Sequence, residues 1–298
     1  MIPRKLGIIL EMIKFEHTVF ALPFALISML VAFRVGAGFQ IPPQHGWPPQ
    51  HQWHIVGWVL VAMVGARSAA MAFNRIADAR LDATNPRTAS RAIPKGLVSV
   101  GAAWLFVVVS AALLVIAAYM LNPLAFALSP VALAVVLGYS YSKRFTSLSH
   151  LWLGLSLGIA PVGAWIAVTG RIGFASMVLS AAVMLWTAGF DIIYSMQDLE
   201  FDRKSGLFSL PARIGPARAL LASRVFHACM VGLLGWFGAL SEMGLIYYAG
   251  VALVAGFLIY EQSLVSAKDF SRVNMAFFTL NGCVSIALLI FVAADLFL

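Results

Sequence analysis

The chain has 298 residues, 61% hydrophobic and only 11% charged, with a mean hydropathy of +0.91 and a formal net charge of +8. These values exclude a soluble globular domain and place the chain in the membrane class, where length no longer counts domains. The positive charge does not point to nucleic acid, because the basic residues border apolar runs, where they set orientation and meet anionic membrane lipid.

Apolar runs of about 20 residues, taken in chain order, predict nine spans: approximately 17–39, 54–77, 98–120, 123–141, 149–170, 173–197, 217–241, 243–262 and 273–297. An all-α integral membrane protein follows. Barrel strands need only about 10 alternating residues, whereas a helix in lipid satisfies its own backbone. The first run, His17 to Phe33, ends without a small-residue cleavage pattern and is expected to be a retained helix. Glu16 and His17 at its start read as an interfacial polar pair. The loop QIPPQHGWPPQHQWH that follows carries His45, His51 and His54 and reads as an interfacial outside loop with belt tryptophans rather than a metal site. In the fifth span, Gly154 and Gly158 form a GxxxG that permits close helix approach. Cys229 and Cys283 lie inside apolar spans and are expected to be buried, inert thiols.

Orientation follows from Arg4, Lys5 and Lys14 before the first span, and Arg75, Arg80, Arg87, Arg91 and Lys95 after the second. Lys143 and Arg144 follow the fourth, Arg203, Lys204, Arg213, Arg218 and Arg224 the sixth, and Lys268 and Arg272 the eighth. These are 17 of the 20 basic residues, all on one side. The positive-inside rule makes that side, and the N-terminus, cytoplasmic and the C-terminus external, in a cell inner (plasma) membrane.

Two polar stripes open on the cytoplasmic side: Asn74, Asp78 and Asp82 in NRIADARLD, and Asp191, Asp198 and Asp202 in DIIYSMQDLEFD. At 100° per residue, each set stays within roughly 40 to 80° of one helix face. Five of only 12 acids are placed there. Clustered carboxylates need cations, and hard oxygens suit magnesium or calcium; magnesium keeps open positions for phosphates, so a diphosphate is the natural third party.

The motifs are copies. Asp78 and Asp198, like Asp82 and Asp202, are 120 residues apart, and each motif precedes a basic, proline-containing loop, NPRTASRAIPKG and RKSGLFSLPARIG. The expected organisation is a single membrane domain over 1–298: pseudo-repeat halves of four helices at about 17–141 and 149–262 face a central cavity, and a ninth helix follows at 273–297.

Arg67 lies seven residues before Asn74, about two turns deeper in the membrane, and an intramembrane arginine demands a partner. Two readings remain open: a structural pair with an acid from another helix, for which Asp191 is a candidate, or binding an anionic group of a substrate. Tyr139 and Lys143, spaced i, i+4 in GYSYSKR, can share a face toward a diphosphate oxygen. Arg87 and Arg91 can close over a phosphate or simply belong to a positive-inside loop. An allylic cation freed from such a diphosphate needs a dry pocket, and the aromatic faces of Tyr139 and Tyr194 favour cations.

NxxxDxxxD followed by NPRTxxRxIPxG, then YxxxK, then DxxYxxxDxxxD, resembles the UbiA superfamily of intramembrane aromatic prenyltransferases over nearly the whole chain. The loop sequence and the KFEHTVFALPFA entrance look most like its 4-hydroxybenzoate polyprenyltransferase branch; Arg75 stands where many members have a second Asp. The resemblance implies a cavity open to the bilayer, with Asn74, Asp78, Asp82, Asp198 and Asp202 around magnesium and a polyprenyl diphosphate. Arg67 and Asp191 would face the aromatic acceptor, in ubiquinone or menaquinone biosynthesis. The alternatives are a cation transporter, which the lack of an external acidic set disfavours, and a CDP-alcohol phosphatidyltransferase, whose DGxxAR signature is absent.

Overall fold

The computed structural model describes residues 7–8, 12, 18–36, 53–267, 269–270, 272–273 and 275–298. Glu16, His17, His45 and His51 lie outside the described residues, while His54 is exposed at the start of a helix. Among the described residues all regular structure is helical, apart from one isolated bridge between Ser266 and Asp269.

In chain order the helices are α1 (Thr18–Gly36), α2 (Trp53–Ala77), α3 (Ala79–Thr84), α4 (Val100–Leu121), α5 (Pro123–Ser142), α6 (Ser149–Thr169) and α7 (Phe174–Ser195). A 3-10 turn (Met196–Asp198) leads into α8 (Leu199–Lys204), followed by α9 (Leu210–Ile214), α10 (Pro216–Leu240), α11 (Leu245–Ser263), a π-helical stretch (Met275–Leu280) and α12 (Asn281–Phe297).

Seven crossings among the described residues are long and apolar enough to traverse a membrane, with Phe174–Lys204 counted as one; Phe20–Val35 and Asn281–Phe297 are apolar but shorter. This is a multi-pass membrane protein. Its outward faces agree with that: Leu105, Tyr119, Ile259 and Leu245 are all more than 60% exposed, which only an apolar surrounding tolerates on such a scale.

Local chemistry explains the helix ends. Ser99 caps α4 by accepting from the Ala102 amide at 3.2 Å, and Asn122 caps α5 by accepting from Ala125 at 2.9 Å, with Pro123 at the first helical position. Gly170, in the left-handed region at φ 67°, closes α6. The start of α11 is capped from a distance: Asp295 accepts from the amides of Gly244 (2.7 Å) and Tyr247 (3.1 Å), joining α12 to α11.

The chain divides into two compact units, one built on Gly57–Tyr141 and the other on Ser142–Leu298 together with α1. In the first, α2 meets α4 where Gly65 faces the backbone of Ser110 and Leu114. In the second, α7 is the central helix: Leu179, Ala182, Val183, Trp186, Ile192 and Ile193 are fully buried, and α6 and α10 pack on it. The Ser28 hydroxyl on α1 donates to the Pro161 carbonyl on α6 at 2.6 Å. The GxxxG acts as the spacing predicts, because a Cβ on Gly154 would run into the Met184 carbonyl and one on Gly158 would sit 2.8 Å from the Ser180 oxygen.

The cysteines depart from expectation. Cys229 and Cys283 are both exposed on their helices, because an apolar span carries apolar residues on its lipid face as well as its packed face, so span membership does not bury a thiol.

Candidate functional site

Each acidic motif straddles a break in its helix. α2 ends at Ala77 and α3 starts at Ala79, with Asp78 at φ −92°, ψ 3° between them. The ladder nevertheless continues through the break: the Asp78 amide donates to Asn74 and the Asp82 amide to Asp78, at 2.9 and 2.8 Å. In the other unit Asp198 has nearly the same backbone, φ −101°, ψ 5°, and precedes the six-residue α8 as Asp78 precedes the six-residue α3. The fourth position of each short helix is a buried aspartate, Asp82 at 5% and Asp202 at 8% exposure. The sequence echo is thus also an echo of local backbone.

In the first unit Asp78 is buried and accepts from the Asn74 amide at 3.2 Å. Arg75, also buried, donates through Nε to the Met12 carbonyl at 3.2 Å and reaches Asn74 Oδ1 at 3.4 Å, so Asn74 is held between Arg75 and Asp78. The Arg91 Nη1 lies 2.6 and 2.8 Å from the two oxygens of Asp82, a charge-assisted pair with Asp82 almost wholly buried. Arg91 is therefore placed on a carboxylate. Its neighbour Arg87 is exposed, and its amide donates to Asn85 Oδ1 at 3.0 Å. The loop is folded on itself by turns from Thr88 to Val98, with Gly96 at φ 71° and Thr88 donating to the Asp82 carbonyl at 3.2 Å.

Arg67 on α2 is half-buried, its Nε enclosed with no hydrogen-bond partner among the described residues, and Tyr139 on α5 lies within its electrostatic reach. A buried, unsatisfied guanidinium nitrogen fits an anion-accepting role.

In the second unit Asp198 is half-buried, and Asp202 lies within the fields of Asp198, Lys143 and His150. The Lys143 carbonyl accepts from the Phe208 amide at 2.8 Å, tying the middle of the 203–215 loop to the short segment that leads into α6. Tyr194 lies against Phe277, ring centroids 4.2 Å apart and tilted by 34°, at one end of an aromatic chain that runs through Phe190 to Trp186. Asp191, on α7, has a partner the sequence did not suggest: His150 Nδ1 lies 2.7 Å from its Oδ2. His150 and Asp191 are 41 residues apart and meet only because α6 packs on α7; the sole sequence signal was a histidine at the start of an apolar span.

Magnesium is commonly held by one or two carboxylates plus substrate phosphates rather than by an all-protein cage. The hard oxygens of the motifs fit that mode. Among the described residues no three His, Cys, Asp or Glu converge into a cage of their own.

Residues 21–283 match the UbiA prenyltransferase family. A 4-hydroxybenzoate octaprenyltransferase of Shewanella piezotolerans is 30% identical, over 79% of this chain and 82% of that protein. One from Nitrosococcus oceani is 31% identical over 72% of this chain and 75% of its own length. Among solved structures, the apo form of a UbiA homologue from Aeropyrum pernix K1 superposes with a TM-score of 0.81 at 36% identity, covering 94% of this chain and 98% of that one. A UbiA homologue from Archaeoglobus fulgidus bound to GPP and Mg2+ shares the fold at 22% identity, with a TM-score of 0.66 and 94% and 99% of the two chains covered.

Proposed function

The chain belongs to the UbiA prenyltransferase family, and from that premise we propose that it transfers a polyprenyl group from an isoprenoid diphosphate to an aromatic acceptor such as 4-hydroxybenzoate, in quinone biosynthesis. The observation that carries the reading is the family match over 21–283 together with the repeated Asp-centred helix break at Asp78 and Asp198.

Asn74, Asp78, Asp82, Asp198 and Asp202 would hold magnesium, which supplies charge neutralisation of the diphosphate leaving group. Lys143 and Tyr139 bind diphosphate oxygens, with Arg87 and Arg91 from the basic loop; Arg91 reaches the diphosphate by exchanging its Asp82 partner. The allylic C–O bond then breaks with its electron pair going to diphosphate, and apolar walls with Tyr194 exclude water from the cation. Arg67, whose Nε has no hydrogen-bond partner among the described residues, binds the acceptor's carboxylate. An aromatic carbon of the acceptor bonds the cation, and Asp191 takes the ring proton that must leave to restore aromaticity.

The substrate explains the membrane setting, since each buried CH₂ of a polyprenyl tail is worth about 0.8 kcal/mol. The nine-span arrangement, with α1 and α12 as the first and last crossings, a cytoplasmic N-terminus and an active site opening to the cytoplasm, completes the proposal for a plasma-membrane enzyme. Purified protein incubated with polyprenyl diphosphates and a panel of aromatic acceptors, with and without magnesium, tests it by mass spectrometry of the lipid extract. A prenylated hydroxybenzoate formed only with magnesium is expected; no prenylated product across the panel overturns the reading.

A further inference from the structure

We propose that His150 is a positioning residue for Asp191: it fixes one carboxylate oxygen and leaves the other to the acceptor, and it ties that geometry to the basic loop after the second acidic motif. The proposal rests on the assignment of Asp191 as the residue that takes the acceptor's proton.

Both ring nitrogens of His150 are engaged. The backbone amide of Leu210, at the start of α9, lies 3.2 Å from Nε2. A backbone amide can only donate, so Nε2 carries no proton and the single ring proton is on Nδ1. Nδ1 lies 2.7 Å from Asp191 Oδ2, so that proton points at the carboxylate. His150 is buried at 4% exposure, and in the observed orientation both ring nitrogens have a partner. Among the described residues Oδ1 of Asp191 accepts no hydrogen bond, while the carboxylate keeps 16% of its surface accessible. One oxygen is anchored and one is available.

The anchor spans three elements. His150 is the second residue of α6, Asp191 is on α7, and Leu210 opens α9 within the loop RKSGLFSLPARIG. That loop is pinned by the bonds from Leu207 to the Asp202 carbonyl (2.9 Å) and from Phe208 to the Lys143 carbonyl (2.8 Å), next to the residues assigned to magnesium and diphosphate. Displacing the loop removes the amide that sets the histidine's tautomer, so the orientation of Asp191 depends on the loop being seated. This is the arrangement of a base held in one geometry by an orienting group behind it.

A double-mutant cycle decides the matter, with geranyl diphosphate and 4-hydroxybenzoate as probes and magnesium present. His150→Ala should lower kcat by about 10- to 100-fold with the KM for geranyl diphosphate unchanged. Asp191→Asn should lower kcat at least as much, and adding His150→Ala to Asp191→Asn should cause no further loss, because the histidine acts only through that carboxylate. No transfer by the wild type, or full transfer by Asp191→Asn, overturns the base assignment and this proposal with it. An impaired Asp191→Asn beside a fully active His150→Ala overturns the proposal alone, as does a double variant whose losses multiply. Should His150→Ala lose its monodisperse elution profile, His150→Asn and His150→Gln replace it: asparagine restores a donor near the Nδ1 position, glutamine one near Nε2. Asparagine should retain the larger share of kcat, and equal or reversed activities overturn the proposal.

Discussion

Alanine at Gly154 tests how helix packing sets the chemistry. Its Cβ would run into the Met184 carbonyl on α7, a backbone atom that cannot rotate aside, so α6 and α7 must separate by about 1 Å to restore an ordinary carbon–oxygen contact. Overpacking of this kind costs about 1–3 kcal/mol. The displacement also reaches the site. Gly154 is one turn, about 6 Å, from His150, and Met184 is seven residues, about 10 Å, from Asp191. Moved rigidly, the 2.7 Å contact between His150 and Asp191 would open by about 1 Å, beyond hydrogen-bonding range. Misplacement by about 1 Å can cost on the order of 100-fold in rate. Gly154→Ala should therefore lower the melting temperature by several degrees, followed by size exclusion in detergent after heating, and should also reduce prenyl transfer by one to two orders of magnitude, on the order of the misplacement effect. Gly163→Ala is the control, because nothing lies within 4 Å of its added Cβ and alanine is the better helix former. Wild-type melting and turnover in Gly154→Ala, or an equal fall in Gly163→Ala, would refute the reasoning.

Asp78→Ala and Asp198→Ala should each abolish magnesium-dependent transfer while eluting as folded protein; full activity of either variant in chelator contradicts their role. Arg67→Ala should raise the acceptor's KM strongly with geranyl diphosphate binding near normal, and Arg67→Lys should recover it only in part, since lysine keeps the charge but not the planar fork. Unchanged acceptor affinity by calorimetric titration removes the carboxylate role. For topology, cysteines at the exposed Ser90 and Ser205 should label from the cytoplasm and one at Arg171 from outside, in a protein lacking the exposed Cys229 and Cys283. Labelling of all three from one side contradicts the orientation. Ser209 is a poor reporter because it is buried.

Much of this protein is legible in its sequence because a bilayer enforces rules that act residue by residue. Length and apolarity alone mark the crossings, as α4 and α5 illustrate: 98–120 and 123–141 were expected, and Val100–Leu121 and Pro123–Ser142 are found. The Asp motifs were legible for a related reason, since carboxylates at helical spacing are conspicuous in a chain with so few acids. The glycine pair at 154 and 158 was also readable, because only a missing side chain lets two backbones meet. The tertiary structure decided what depends on which face meets which neighbour. It placed Arg91 on Asp82, braced Asn74 with Arg75, turned Cys229 and Cys283 outward, and brought His150 to Asp191 across 41 residues. An apolar helix has no polar face to announce its orientation, so its sequence carries little information about rotation around its own axis; packing supplies that angle, and the angle selects which side chains can react together.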